Sequence, residues 1–187
     1  LDHNLHRTST PCRARGFAWR RSSDKNELPF PRTLEEFIAM LVLTKLLHLA
    51  AAILWLGGMG FMLFALRPAA TAALAPPQRL PLMAAAMRRF FVMVSICIFV
   101  LLTTGLAMLA TVGLRDASSG WRAMLGIGLV MFVLFAYLYF VPFLRLQRAV
   151  AAQDWPTGGA QIRQIAILVV ANFVLGWLAI VALRGLG

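Results

Sequence analysis

Histidine, methionine and cysteine recur along two long apolar runs at spacings that bring them onto single helix faces. In MLVLTKLLHLAAAILWLGGMGFMLFAL, residues 40–66, the side chains of His48, Trp55, Met59 and Met62 fall within about 40° of one line at about 100° per residue. In the run from Phe90 to Val112, Met93, Cys97, Thr104 and Met108 lie within about 60° of one another. Imidazole, thioether and thiol are the donors that select Cu(I). Imidazole and thioether together are also an axial pair for haem, which His48 and Met108 could supply. The plainer reading is that methionine is a flexible gap-filler, and nine of them in so apolar a chain need no metal.

The elements that would carry these residues are membrane spans. Residues 41–66 contain one charge, Lys45, and one other ionisable group, His48, over a length sufficient to cross a bilayer. A histidine inside hydrocarbon is costly without a partner, which marks His48 as a functional candidate. Three further spans follow at 90–112, 123–144 and 165–183, so the expected fold is all-α, a polytopic bundle of four transmembrane helices. Aligning the midpoints of the first two, as antiparallel neighbours, predicts a ladder of His48 with Met108, Met59 with Cys97, and Met62 with Met93.

Composition agrees with this class. With 60% hydrophobic and 13% charged residues, 187 residues offer too little polar surface to enclose a soluble core. The formal charge of +11 does not point to nucleic acid, since no Lys/Arg cluster sits on a soluble module that could track phosphates. Cys12 and Cys97 make neither a zinc-type spacing nor a disulfide framework.

Residues 1–39 differ from the rest, with seven Lys/Arg, five Asp/Glu and three prolines. They read as an unstructured tail or as sequence upstream of a start at Met40, and they lack the apolar core of a secretory signal. His3, His6 and Cys12 are too irregularly spaced to make a strong metal motif. Residues 67–89, with Pro68, Pro76, Pro77 and Pro81, are expected as a loop with a short interfacial helix from Leu82. The segment ending at Gln164 is read as a loop on Asp154, Trp155, Pro156 and the Gly158-Gly159 pair. Asn172, the main polar group inside the last span, reads as interhelical glue.

Basic residues set the expected orientation. Arg67, Arg79, Arg88, Arg89, Arg145, Arg148 and Arg163 share one side, and Lys45, Arg115, Arg122 and Arg184 the other, which places both chain ends outside. Soluble-type catalysis has little support, because after residue 40 the chain has one histidine and only Asp116 and Asp154 as acids, so a non-enzymatic role is preferred.

Several strings carry a family likeness: HLAAAILWLGGMGF from His48 to Phe61, RRFF from Arg88 to Phe91, TTG from Thr103 to Gly105, QDWP from Gln153 to Pro156, and IRQIAILVVANFVLG from Ile162 to Gly176. In order and spacing over residues 40–187 they resemble the CopD family of bacterial copper-resistance membrane proteins. The resemblance implies an inner-membrane protein of copper handling, with copper uptake as one such role. The candidate partners are the lipid bilayer, a periplasmic copper-binding protein and further copies of the chain. A second likeness is to HemJ-type protoporphyrinogen oxidases, small four-helix membrane proteins with a histidine in the first span, which implies haem b. The third reading is an accessory membrane subunit whose methionines only pack.

Overall fold

The computed structural model describes residues 33–113 and 115–185, so the expectations for residues 1–32 lie outside the described part. Those residues form four long helices and, among the described residues, no strand. They are α1 (Leu34–Ala73), α2 (Pro76–Val112), α3 (Ser119–Ala151) and α4 (Trp155–Gly185), each long and apolar enough to span a membrane. Their 31 to 40 residues correspond to about 47 to 60 Å, against a hydrocarbon core of about 30 Å. Each helix therefore runs well beyond the lipid tails.

Local chemistry explains where they start. Thr33 accepts a hydrogen bond from the Glu36 amide at 3.2 Å, and Glu35 and Glu36 occupy the positive first turn of α1. The helix thus begins inside the stretch read as a tail. Residues 67–89, expected as a loop with a short helix from Leu82, are helical except for Leu74 and Ala75, so the loop expected over 67–81 is corrected while the helix from Leu82 is present as part of α2. Pro76 and Pro77 occupy the first turn of α2, where amides have no intrahelical partner, while the proline that follows holds Ala75 extended (φ −67°, ψ 156°). The expected loop before Gln164 is corrected in the same way. Asp154 accepts from the Thr157 amide at 3.1 Å at the start of α4, and Pro156 falls in its first turn.

The turns between helices are tight. Gly113, at φ +83°, ends α2 in a region that side-chain-bearing residues rarely adopt. Gln153 takes the left-handed position after α3 at φ 57°, and the Asp154 amide reaches back to the Ala149 carbonyl at 2.9 Å.

Helix α1 packs along α2 and α3 along α4, and α4 lies against all three others. Bulky side chains fill the space between the two pairs. Trp55 stacks on Phe132 at 5.8 Å, and Phe91 meets Phe135, Tyr139 and Phe143 edge-on at 5.7, 6.0 and 4.7 Å. Such offset and edge-to-face contacts suit the ring quadrupoles. Small residues set the closest approaches: a methyl on Gly158 would lie 3.1 Å from Leu80 Cδ1, and one on Gly176 would clash with Leu56. Two short π-helical turns, Met62–Leu66 in α1 and Tyr139–Phe143 in α3, widen their helices locally.

Candidate metal centre

His48 lies half-buried on the seam between α1 and α2, and its Nδ1 is 2.9 Å from Thr104 Oγ1. The threonine hydroxyl donates its one hydrogen to the Val100 carbonyl. Its oxygen must then accept from Nδ1–H, which leaves Nε2 as the lone-pair nitrogen of the ring. An imidazole oriented through its other nitrogen is the usual form of a metal-ligating histidine. The ring also packs on Gly105, where a methyl would sit 3.6 Å from His48 Cε1.

These contacts fix the register of the α1–α2 pair. His48 faces Thr104 and Gly105, and Gly58 faces Phe90 and Met93, a methyl there lying 3.3 Å from Met93 Cε. The ladder expected from span midpoints is therefore displaced by about one turn along the helix. Met108 lies one turn beyond the level of His48, half-buried. On this register Met59 shares a level with Met93, and Cys97 faces the turn carrying Trp55. Midpoints misled because α2 extends far beyond the apolar run that defined its span. Packing of Gly58 and Gly105 against their neighbours decides the pairing instead.

Met59 and Cys97 are buried, at 2% and 3% exposure, within one continuous apolar cluster, and Met93 packs against it. Met62, at the start of the π turn, belongs to the same cluster together with Met83 and Met87. Those last three methionines line one partly open cavity of about 20 Å³, together with Arg67, Phe90, Phe91, Ile165 and Val169 among others. That is room for one atom of about the size of a water molecule. Its walls are apolar apart from Arg67, and three thioethers are a donor set suited to Cu(I). Among the described residues no three His, Cys, Asp or Glu side chains gather.

Met83 and Met87 were missed because the short helix expected from Leu82 was read as interfacial and not as part of the bundle. Their spacing of four was the available signal, since on a helix it places both on one face. Asn172 is buried as expected of a residue between helices, and its Oδ1 has no hydrogen-bond partner among the described residues.

A family model described as copper resistance protein D, CopD, matches residues 84–186. The match covers α2 from Ala84 through α4 and leaves His48, Met59, Met62 and Met83 upstream of it. Searches of curated proteins and of solved structures returned no match.

Proposed function

The chain belongs to the CopD family of copper-resistance membrane proteins, and from that premise we propose that it handles copper as Cu(I) held by Met62, Met83 and Met87. The observation that carries this reading is the small cavity those three thioethers share. His48 serves as a separate outer ligand. Fourteen residues separate it from Met62, about 21 Å along α1, so the two cannot hold one ion. Met59 and Met93, close in level, lie between them, and Cys97 adds a buried thiol on the same cluster.

Copper is the cargo in this reading. Soft donors bind Cu(I) without needing a charged ligand in an apolar interior, where a carboxylate would be expensive to bury. The arginine-rich end faces the cytoplasm and both chain ends lie outside, which gives His48 the extracytoplasmic side of a bacterial inner membrane. The series then runs inward, as uptake, with a periplasmic copper-binding protein as donor. A reporter active only in the cytoplasm, fused after Gly187, stays silent on this topology.

The binding test uses purified protein under reducing conditions, with a chromophoric Cu(I) chelator as competitor and X-ray absorption to identify the donors. Substituting Met62, Met83 and Met87 together by Leu, which keeps shape, weakens core binding by more than about tenfold and removes the sulfur shell. His48→Ala leaves that shell in place and lowers copper accumulation by cells. Unchanged Cu(I) affinity in the triple variant refutes the cavity assignment. A Soret band in the native protein, lost in His48→Ala, would instead give His48 to haem.

A further inference from the structure

Beyond the methionine cavity, toward the arginine-rich end, a larger pocket of about 500 Å³ opens where α2 and α4 begin. Its walls include Arg67, Arg79 and Arg163, with Thr71, Trp155 and Gly159. Its volume falls in the range of small-molecule sites.

None of these three arginines pairs with a carboxylate among the described residues. After Glu36 the chain contains only two acids, Asp116 and Asp154. Asp116 lies in the turn at the opposite end, and Asp154 is committed to the Thr157 amide and does not line the pocket. Three guanidiniums around one concavity repel each other unless an anion joins them, and Arg67 and Arg79 are half-buried, which limits relief by water. The positive ends of two helix dipoles point the same way.

The shape narrows the choice of anion. Guanidinium forks match the oxygens of phosphate better than any other common anion apart from carboxylate. Leu80, Met83 and Ile162 give the pocket an apolar floor beside its charged rim. The pocket lies at the ends of helices longer than the hydrocarbon core is thick, where a lipid headgroup can reach it. We propose that the pocket formed by Arg67, Arg79 and Arg163 binds a phosphate oxyanion, carried by an acidic phospholipid headgroup or by free phosphate.

The experiment uses the full chain in neutral detergent with three probes: dioleoyl phosphatidylglycerol, dioleoyl phosphatidylcholine and inorganic phosphate. Native mass spectrometry reads lipid retention, and thermal unfolding reads stabilisation by phosphate. Retention of phosphatidylglycerol over phosphatidylcholine by more than about tenfold identifies a lipid source. Stabilisation by inorganic phosphate without lipid preference identifies the free anion. Replacing Arg67, Arg79 and Arg163 by Gln abolishes whichever response is seen, whereas R88Q/R89Q, two exposed arginines of α2 outside the pocket, preserves it.

A readout on the unaltered protein guards against misfolding of the triple variant. Modification of arginine by phenylglyoxal should be suppressed by the bound probe at Arg67, Arg79 and Arg163 and not at Arg88 or Arg89. Two results overturn the proposal: no response to phosphatidylglycerol or phosphate, or equal protection of all five arginines. Neither depends on copper, so the proposal and the copper reading fail separately.

Discussion

At the arginine-rich end of the bundle Leu80, Met83, Phe91, Phe143, Leu146 and Ile165 are each 2% exposed or less, and side chains from α2, α3 and α4 close over one another. At the His48 end no side chain of α1 before Ala51, and none of α2 after Cys97, is buried. One end is a packed core. At the other, α1 and α2 meet in a thinner seam whose polar link is the bond from His48 to Thr104, while α3 and α4 bury only small residues there, Gly120, Gly176 and Ala179.

The difference bears on function. A ligand in the seam can exchange without disturbing the fold, whereas a ligand on Met62, Met83 and Met87 sits inside the part that holds the protein together. On the copper reading proposed above, entry at the seam and passage through the core would make opposite demands on packing, and the two ends differ in that respect.

The largest effect expected from this contrast is at Phe91. Its ring touches those of Phe90, Phe135, Tyr139 and Phe143, and Phe91→Ala should cost about 3–5 kcal/mol through lost burial and an unfilled cavity. Thermal unfolding in detergent measures it. A cost no greater than that of a seam substitution would remove the distinction between the ends.

Thr104→Val is the sharper, smaller probe. It deletes the acceptor for His48 Nδ1–H while keeping shape, and should lower stability by about 1 kcal/mol. Loss of the orienting bond should weaken metal binding at His48 by about 10- to 100-fold. Cu(I) titration of the outer site, read beside unfolding, checks both. Equal affinity in the variant would show that the bond only packs the seam.

The smallest effect concerns the start of α4. The Thr157 hydrogen bonds, side-chain and then backbone, hold the Asp154 carboxyl below its ordinary value. Because the folded form is depressed, the contribution is present above the unfolded carboxylate value, near about pH 4, and is lost as pH falls through the lower folded one. Amide exchange at Thr157 should accelerate, beyond the intrinsic trend, below about pH 4. Asp154→Asn should flatten that dependence, and an unchanged profile would remove Asp154 from the cap.

Much of this architecture was legible in the sequence, for reasons that also explain the errors. Four apolar runs announce four helices because nothing else satisfies backbone amides in lipid. Hydropathy marks only the part of a helix inside the hydrocarbon, so the protruding turns at 67–81 and 145–164 read as loops. Their prolines reinforced the error, although Pro76, Pro77 and Pro156 stand in first turns, where proline is compatible with a helix. The start of α1 was readable, since Thr33 followed three residues later by Glu36 is a capping-box pattern. His48, Met59, Met62 and Cys97 were legible by helical spacing. Their partners across the seam were not, because register depends on which bulky side chain meets which glycine.

The π turn at Met62–Leu66 sets how these parts are phased. Such a turn is in effect one residue added to an α-helix, and one residue is about 100° of rotation. Everything on α1 before it, His48 included, points where it does relative to Arg67 because that extra residue is present. A helix of unbroken α geometry would aim the imidazole about a quarter-turn away from Thr104, with the arginine end unmoved. The alignment of the His48 seam with a packed interior therefore depends on a single residue's worth of winding.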